Sequence, residues 1–240
     1  MIIAANWKMN KTILEVNQFL DEFVSLVGEN KHNKIIIAPS FVFLQKVIKF
    51  ARKKNIKVFA QNCHQFASGA FTGEVSASML SSIGVNGVIL GHGERKAMGE
   101  TCDMVNQKLK MAICYNLEVI LCTGESENNR AEKEIEFQIK TSLKDINTDE
   151  KICIAYEPLW AIGSNKSASC ENIYLKVKFI RDICKKMGFF NTKILYGGSV
   201  NLKNYVRILN IPKIDGILVG GASLKSKDFA EISSFNSSLH

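Results

Sequence analysis

The sequence predicts an α/β fold of the (β/α)8 barrel type, in which eight parallel strands are ringed by helices. Eight short apolar runs, rich in β-branched residues, alternate with amphipathic helical stretches. The repeat is roughly 30 residues, which matches eight strand–helix units in about 250 residues. The runs lack the polar alternation of a half-exposed sheet, so both faces are expected to be buried. An open doubly wound sheet is the alternative, but eight units without a sign of a topology change favour the closed barrel.

The strands are predicted in chain order from these apolar runs. They cover Ile2–Asn6, Lys34–Ala38, Lys57–Gln61, Gly87–Leu90, Glu118–Cys122, Lys151–Tyr156, Lys193–Tyr196 and Gly216–Val219. An apolar stripe over Ile13–Val27 predicts a helix that ends at Gly28. A second stripe over Ile173–Cys184 predicts a helix that begins near Ser169 and ends at Gly188.

Composition favours one globular domain over residues 1–240, because no linker or low-complexity tract interrupts the chain. No apolar run is long enough to span a membrane, and Asn6 and Lys8 interrupt the apolar N-terminus too early for a signal peptide. The seven cysteines have no CxxC spacing. That pattern is typical of reduced thiols in the cytoplasm rather than of a disulfide framework or a zinc site.

The formal net charge is +8, which favours attraction of an anionic small molecule. The basic residues are spread out, and no stripe of interleaved aromatic residues accompanies them, so nucleic-acid binding is not expected. A solvated, lysine-rich surface is the plain alternative reading of the charge.

In a closed parallel barrel, chemistry sits where the strands end. Glu157 directly follows the sixth strand, and Pro158 and a small-residue segment come after it. A strand-end carboxylate beneath a short loop suits a general base under a lid. His92 follows the fourth strand and precedes a predicted helical turn near Glu94. Positive potential at a helix start disfavours an imidazolium, so His92 is expected to be a neutral hydrogen-bond donor.

Two glycine pairs, Gly197–Gly198 and Gly220–Gly221, follow the seventh and eighth strands. Without side chains, their backbone N–H groups can approach phosphate oxygens, and barrels often hold phosphate at these two loops. Lys8, two residues past Asn6, could add a fixed positive charge. A base, a neutral acid, a cation and a phosphate cradle indicate proton abstraction next to a carbonyl in a small phosphate ester.

Five motifs follow one another along the chain: Asn6–Asn10 (NWKMN), Gly91–Arg95 (GHGER), Ala155–Gly163 (AYEPLWAIG), Tyr196–Val200 (YGGSV) and Gly216–Leu224 (GILVGGASL). In these motifs and in their order, the chain resembles the triosephosphate isomerase family over nearly its whole length. The resemblance implies a TIM barrel that interconverts dihydroxyacetone phosphate and glyceraldehyde 3-phosphate in glycolysis and gluconeogenesis. It implies no cofactor and no metal.

The resemblance also implies a role for each residue at the strand ends. Glu157 would move a carbon-bound proton, His92 would polarise the carbonyl, and Lys8 would stabilise negative charge. A Glu base beside a neutral His is the standard example that this family provides, so the division of roles belongs to the family. The substrate would be oriented by Asn6 and its phosphate held by backbone N–H groups of Gly163, Ser199, Gly220 and Gly221.

The resemblance also implies a function for two loops. Residues 158–168 would form the lid, with Asn165 where the family has a glycine, and residues 65–74 would form the loop that interlocks two subunits of a homodimer. In that loop, Thr72 would reach the partner's Asn6 and Lys8 region. The predicted lid positions are Pro158, Trp160, Ile162, Lys166 and Ala168.

The chain departs from the family at Gly93, where the family has serine, and at Lys96, where it has arginine. Loss of the serine hydroxyl removes a hydrogen bond to the catalytic carboxylate, so a modest loss of activity is expected. Two other functions stay open at this point: a different sugar-phosphate enzyme, such as an epimerase, and a binding protein on a disabled isomerase fold. The intact Lys8, His92 and Glu157 favour an active isomerase.

Overall fold

The computed structural model describes residues 1–27, 32–52, 54–126, 131–161 and 168–236. Its eight strands pair in chain order, β1 to β8, and β8 pairs with β1 to close the barrel. Every pairing is parallel. The strands are β1 Ile2–Asn6, β2 Lys34–Ala38, β3 Ile56–Ala60, β4 Gly87–Leu90, β5 Glu118–Thr123, β6 Ile152–Tyr156, β7 Lys193–Tyr196 and β8 Gly216–Val219.

Helices follow the strands in the described ranges. They are α1 Ile13–Val27, α2 Leu44–Ala51, α3 Ala77–Ser82, α4 Gly93–Ala97, α5 Cys102–Cys114, α6 Ala131–Ser142, α7 Cys170–Lys186, α8 Tyr205–Leu209 and α9 Ser226–Ser233. Short 3-10 helices cover Phe41–Phe43, Leu159–Ala161 and Gly221–Leu224. Within these ranges, no helix combines the length and the apolar character needed to cross a membrane.

The core has two layers because strand side chains alternate between two sides. In β1, Ile3 and Ala5 pack outward in the larger cluster with the helices, whereas Ile2 and Ala4 belong to a second cluster inside the barrel. Both sides of each strand are therefore buried, as the continuous apolar runs predict. The inner cluster contains Ile2, Ala4, Ile36, Ala38, Phe59, Ile89, Ile120, Cys122, Ala155, Leu195 and Leu218.

The closed barrel and the predicted strands are confirmed, with small shifts at the strand ends. The third strand lies one residue earlier than predicted and the fifth extends to Thr123. The predicted helix start at Ser169 is also found, because the Ser169 side chain accepts a hydrogen bond from the Asn172 N–H. The helix ends two residues before Gly188, which has a left-handed φ of 87°. Gly28 lies outside the described residues.

Candidate active site

A cavity of about 500 Å³ opens at the carboxyl ends of the strands. It brings together residues that are far apart in the sequence, from the loops after β1, β4, β6, β7 and β8. Gly163, Ile162 and Lys166 lie outside the described residues. The predicted site residues that line the cavity are Asn6, Lys8, His92, Glu157, Ser199, Gly220 and Gly221.

Glu157 directly follows β6 and is 1% exposed. Its N–H donates to the Thr123 carbonyl oxygen at 2.7 Å, which continues the pairing with β5 by one residue. Two glycines make room for it: a Cβ on Gly197 would lie 2.7 Å from the Glu157 Cγ, and one on Gly124 would lie 1.7 Å from its carbonyl oxygen. A larger residue would displace the Glu157 side chain at position 197 and the Glu157 backbone at position 124.

His92 is the N-cap of α4. Its Nδ1 accepts a hydrogen bond from the Glu94 N–H at 3.2 Å. Because an accepting nitrogen carries no proton, this bond assigns the neutral tautomer with the proton on Nε2. That Nε2 lies 3.5 Å from the Glu157 Oε1. The ring therefore presents its donor to the cavity beside the carboxylate, as expected for a neutral acid next to a base.

Lys8 has a left-handed backbone with a φ of 53°, which is uncommon for a residue with a side chain. Its N–H donates to the Asn6 Oδ1 at 3.0 Å, and its carbonyl oxygen accepts from the Gln61 Nε2 at 2.9 Å and the Ser40 Oγ at 3.1 Å. These bonds hold the unusual backbone in place. The ammonium donates to the Glu94 Oε1 at 2.6 Å, so it stays near His92 across the cavity mouth.

The glycine-rich loops form the opposite side of the cavity. The Gly220 carbonyl oxygen accepts from the Ser223 N–H at 2.8 Å and the Ser223 Oγ at 2.7 Å, which fixes the 3-10 turn. In the other loop, the buried Asn204 side chain donates to the Ser199 carbonyl oxygen at 2.8 Å and accepts from the Asn201 N–H at 2.8 Å. Both loops are thus pinned by side chains that leave backbone facing the cavity.

The segment beyond Glu157 is held at both described ends. The Leu159 N–H donates to the Glu125 carbonyl oxygen at 3.0 Å, and the Tyr156 hydroxyl donates to the Glu125 Oε1 at 2.8 Å. On the other side of the predicted lid, the Ala168 N–H donates to the Tyr196 hydroxyl at 3.3 Å. Burial raises the pKa of the Glu125 carboxyl and the pKa of the Tyr156 hydroxyl.

Of the predicted lid positions, Pro158 is buried, Trp160 is half-buried and Ala168 is 5% exposed. Thr72, predicted to reach a partner subunit, is exposed and lies away from the cavity. The loop that carries Thr72 is ordered by aromatic stacking, since Phe66 and Phe71 stack at 5.2 Å between ring centroids.

Sequence reasoning missed Glu94, Gly124 and Glu125 as parts of the site. Glu94 pairs with Lys8 and with the His92 ring, and it was interpreted only as a helix start. Gly124 and Glu125 directly follow β5, so the rule that singled out the ends of the other strands would have found them.

The cysteine nearest to the site is Cys122, in β5. Burial raises the pKa of its thiol well above the usual range, and the Glu157 carboxylate adds to this shift. Burial likewise raises the pKa of Cys63 to about 12, of Cys153 to about 11 and of Cys184 to about 12. These thiols are therefore protonated near neutral pH and pack as small apolar groups.

The fold and the cavity define a barrel enzyme in which a buried carboxylate and a neutral imidazole face a cation and glycine-rich loops. The family model of triosephosphate isomerase matches residues 1–236. Triosephosphate isomerases of Clostridium botulinum (strain Langeland) and Trichlorobacter lovleyi are each 44% identical, covering 96% and 98% of this chain and 97% and 98% of their own lengths. That of Flavobacterium psychrophilum is 42% identical over 96% of this chain and 97% of its own. The chain belongs to the triosephosphate isomerase family, and it is an isomerase.

Proposed function

We propose that this chain interconverts dihydroxyacetone phosphate and glyceraldehyde 3-phosphate by proton transfer through an enediolate. The observation that carries the proposal is the 3.5 Å approach of the His92 Nε2 to the Glu157 Oε1 inside the cavity. A base and a neutral donor at this spacing can act on adjacent atoms of one small substrate, namely a carbon-bound proton and the neighbouring carbonyl oxygen.

In this proposal Glu157 takes the proton from one carbon and returns it to the next. Burial supports the role, because a carboxylate that is 1% exposed has little competing solvation. His92 donates from Nε2 to the carbonyl oxygen as negative charge develops there, and it exchanges protons between the two oxygens of the enediolate. The Glu94 N–H, at 3.2 Å from Nδ1, keeps the ring in the donating tautomer.

Lys8 stabilises the developing oxyanion, and its positive charge is directed to the cavity by the backbone bonds from Gln61 and Asn6. Asn6, which is 5% exposed, orients the site through that bond. The substrate phosphate lies against backbone N–H groups of the β7 and β8 loops, where glycines permit close approach. These N–H groups are assigned to Ser199, Gly220 and Gly221, together with Gly163, which lies outside the described residues.

Residues 158–168 act as the lid over the enediolate. Support comes from its two described ends, where Leu159 is tied to Glu125 and Ala168 to the Tyr196 hydroxyl. A segment clamped at both ends can close as a unit and exclude water from the reacting atoms.

We further propose that the chain is a single domain and acts as a cytoplasmic homodimer. The barrel closes on itself across the described residues, and the seven cysteines, all described, are free thiols. Large apolar side chains lie exposed in the segments after β1, β2 and β4. Met9 is 95% exposed, Val42 81% and Met98 77%, which suits a surface that a second copy covers.

Replacement of Glu157 by glutamine tests the base. We expect kcat in a coupled assay with glyceraldehyde 3-phosphate to fall at least about 100-fold, since general acid–base help is typically worth 10²–10⁴-fold. Inhibition by inorganic phosphate should persist, because the glycine loops are untouched. Glu136→Gln, at an exposed position on α6, is the matched control and should keep full activity. Near-normal turnover in Glu157→Gln would show that another group is the base.

Replacement of Thr72 by glutamate tests the homodimer. The loop tip is exposed in a single chain, but a charge there would be buried between two copies. We expect sedimentation velocity to report a dimer for the parent and a monomer for Thr72→Glu. In the coupled assay, the kcat of Thr72→Glu should be reduced. Asn147→Glu adds the same charge at another exposed position and should remain dimeric. A monomeric parent with full activity would refute the dimer.

A further inference from the structure

Lys11 combines three features that an ordinary surface lysine lacks. It lies in the loop between β1 and α1 with a left-handed φ of 75°. Its ammonium donates to the Leu224 carbonyl oxygen at 2.7 Å, across 213 positions of sequence. The same ammonium lies 5.1 Å from the Trp7 ring centroid and 4.6 Å from that of Phe19. A strained backbone and a long reach to one carbonyl indicate that the contact is specific.

The aromatic platform beneath the ammonium is rigid. Trp7 is fully buried, and its ring meets that of Phe19 edge to face at 4.9 Å. Phe19 stacks in turn on Phe23, at 5.5 Å between ring centroids. Burial against these rings lowers the pKa of Lys11, while Glu15 and Glu22 act in the opposite direction. The ammonium therefore lies between the two aromatic rings on one side and the Leu224 carbonyl oxygen, which accepts its hydrogen bond, on the other.

That partner belongs to the segment that forms the glycine side of the cavity. Leu224 ends the 3-10 helix Gly221–Leu224, and Ser223 pins the start of the same turn at the Gly220 carbonyl oxygen. Lys11 thus holds the end of a turn that lines the cavity at Gly220, Gly221 and Leu224. The loop that carries Lys11 also carries Lys8, whose Cε lies 3.5 Å from the position that a Cβ on Gly220 would occupy.

We propose that Lys11 is a positioning residue that ties the β8 loop to the β1 loop and so sets the backbone N–H groups of Gly220 and Gly221 at the correct distance from Lys8. The inference rests on the proposed phosphate site at those glycines. Lys11 itself does not line the cavity, and it acts only through the Leu224 carbonyl oxygen. Its loss should weaken the hold on the phosphate group more than it slows the proton transfer between Glu157 and the substrate carbons.

Lys11→Met keeps the apolar stem over the rings and removes the ammonium. We expect KM for glyceraldehyde 3-phosphate and the competitive inhibition constant of inorganic phosphate to rise together by about tenfold, the lower range for one hydrogen bond from a charged group. We expect kcat to stay within about twofold. Lys11→Arg, which retains a charged donor above the rings, should recover most of the phosphate affinity.

The matched control is Lys213→Met. Lys213 also has a left-handed backbone, with a φ of 69°, but it precedes β8 at the opposite end of the barrel. For Lys213→Met, the KM for glyceraldehyde 3-phosphate and the competitive inhibition constant of inorganic phosphate should both stay within about twofold of the parent values. If Lys11→Met does not fold, Lys11→Gln should raise both constants in the same direction but by less, because its shorter, neutral amide replaces the charged donor only in part.

Two results would overturn the proposal: both constants unchanged in Lys11→Met, even with a lower melting temperature, or a fall in kcat with the phosphate constant unchanged. A purely structural lysine gives the first result, since it affects stability alone. Failure of the proposed function is distinguishable from both, because it shows in the parent chain as the absence of turnover with glyceraldehyde 3-phosphate.

Discussion

At the scale of single residues, backbone groups hold the acid–base pair. The Gly93 N–H lies 3.4 Å from the Glu157 Oε2, and the Glu94 N–H holds the His92 ring at 3.2 Å. Both donors come from the first turn of α4, where N–H groups have no partner within the helix. Position 93 thus offers the Glu157 carboxylate a backbone N–H and no side-chain hydroxyl.

Gly93→Ser should therefore improve the enzyme. The added hydroxyl can donate to the Glu157 carboxylate at shorter range than the present 3.4 Å contact. We expect kcat/KM for glyceraldehyde 3-phosphate to rise by about fivefold, since one neutral hydrogen bond is worth about 1 kcal/mol. Gly93→Ala is the matched control, because it stiffens the backbone without a hydroxyl. An equal gain in the alanine variant would assign the effect to the backbone, and a much larger change in either direction would mean that the loop works differently.

The location of the proposed catalytic residues at the barrel mouth could be predicted from the sequence, but the contacts that hold their side chains and backbone in place could not. Glu157 directly follows an apolar strand and His92 lies two residues past another, so their place at the barrel mouth follows from chain order. The space that Gly197 leaves for the Glu157 side chain is different, since it depends on contact between two neighbouring strands. Nor does the sequence show that Lys8 has a left-handed backbone, because two distant segments, at Ser40 and Gln61, supply most of the bonds that hold it.

At the scale of elements, tyrosines at the ends of the neighbouring strands β6 and β7 anchor the two described flanks of the proposed lid. Tyr156 and Tyr196 occupy the same register level on these strands. Their ring centroids lie 6.1 Å apart, and their hydroxyls contact Glu125 on one side and the Ala168 N–H on the other. The two anchors of the proposed lid therefore lie on adjacent strands at a fixed spacing.

The existence of the strands was predictable because buried parallel strands are short, apolar and β-branched. Their exact ends were not, since pairing with a neighbour decides where a strand stops. Thr123, for example, joins β5 because it pairs with Tyr156. Predictions on the middle of the lid, including Asn165, fall outside the described residues and stay predictions.

At the scale of the whole molecule, ion pairs join several strands at the end of the barrel opposite the cavity. Glu118, at the start of β5, accepts from the Lys34 Nζ at 2.7 Å and also pairs with the Lys57 ammonium. Three strands, β2, β3 and β5, are thus joined through one carboxylate. Its side chain is 25% exposed, so water screens the network only in part.

The pH dependence of this network has a definite sign. Burial on its own raises the pKa of Glu118, but hydrogen bonds and charge from Lys34 and Lys57 outweigh it, and the pKa is lowered overall. A lowered carboxyl pKa stabilises the folded state above the ordinary pKa of about 4.3. That stabilisation is lost as the pH falls from there through the lowered folded-state pKa, because the protonated acid no longer pairs with the two lysines.

Glu118→Gln should therefore lower the free energy of unfolding at pH 7 by about 1 kcal/mol, a value discounted for the partial exposure of both lysines. The difference from the parent should shrink as the pH falls below about 4.3, where the carboxyl of the unfolded chain becomes protonated, and it should vanish below the lowered folded-state pKa, where the paired carboxylate is protonated too. Urea unfolding at several pH values measures both effects. Glu136→Gln removes an exposed pair with Lys140 on α6 and should change stability less at every pH. A difference that persists undiminished in acid would assign the role of Glu118 to packing and not to its charge.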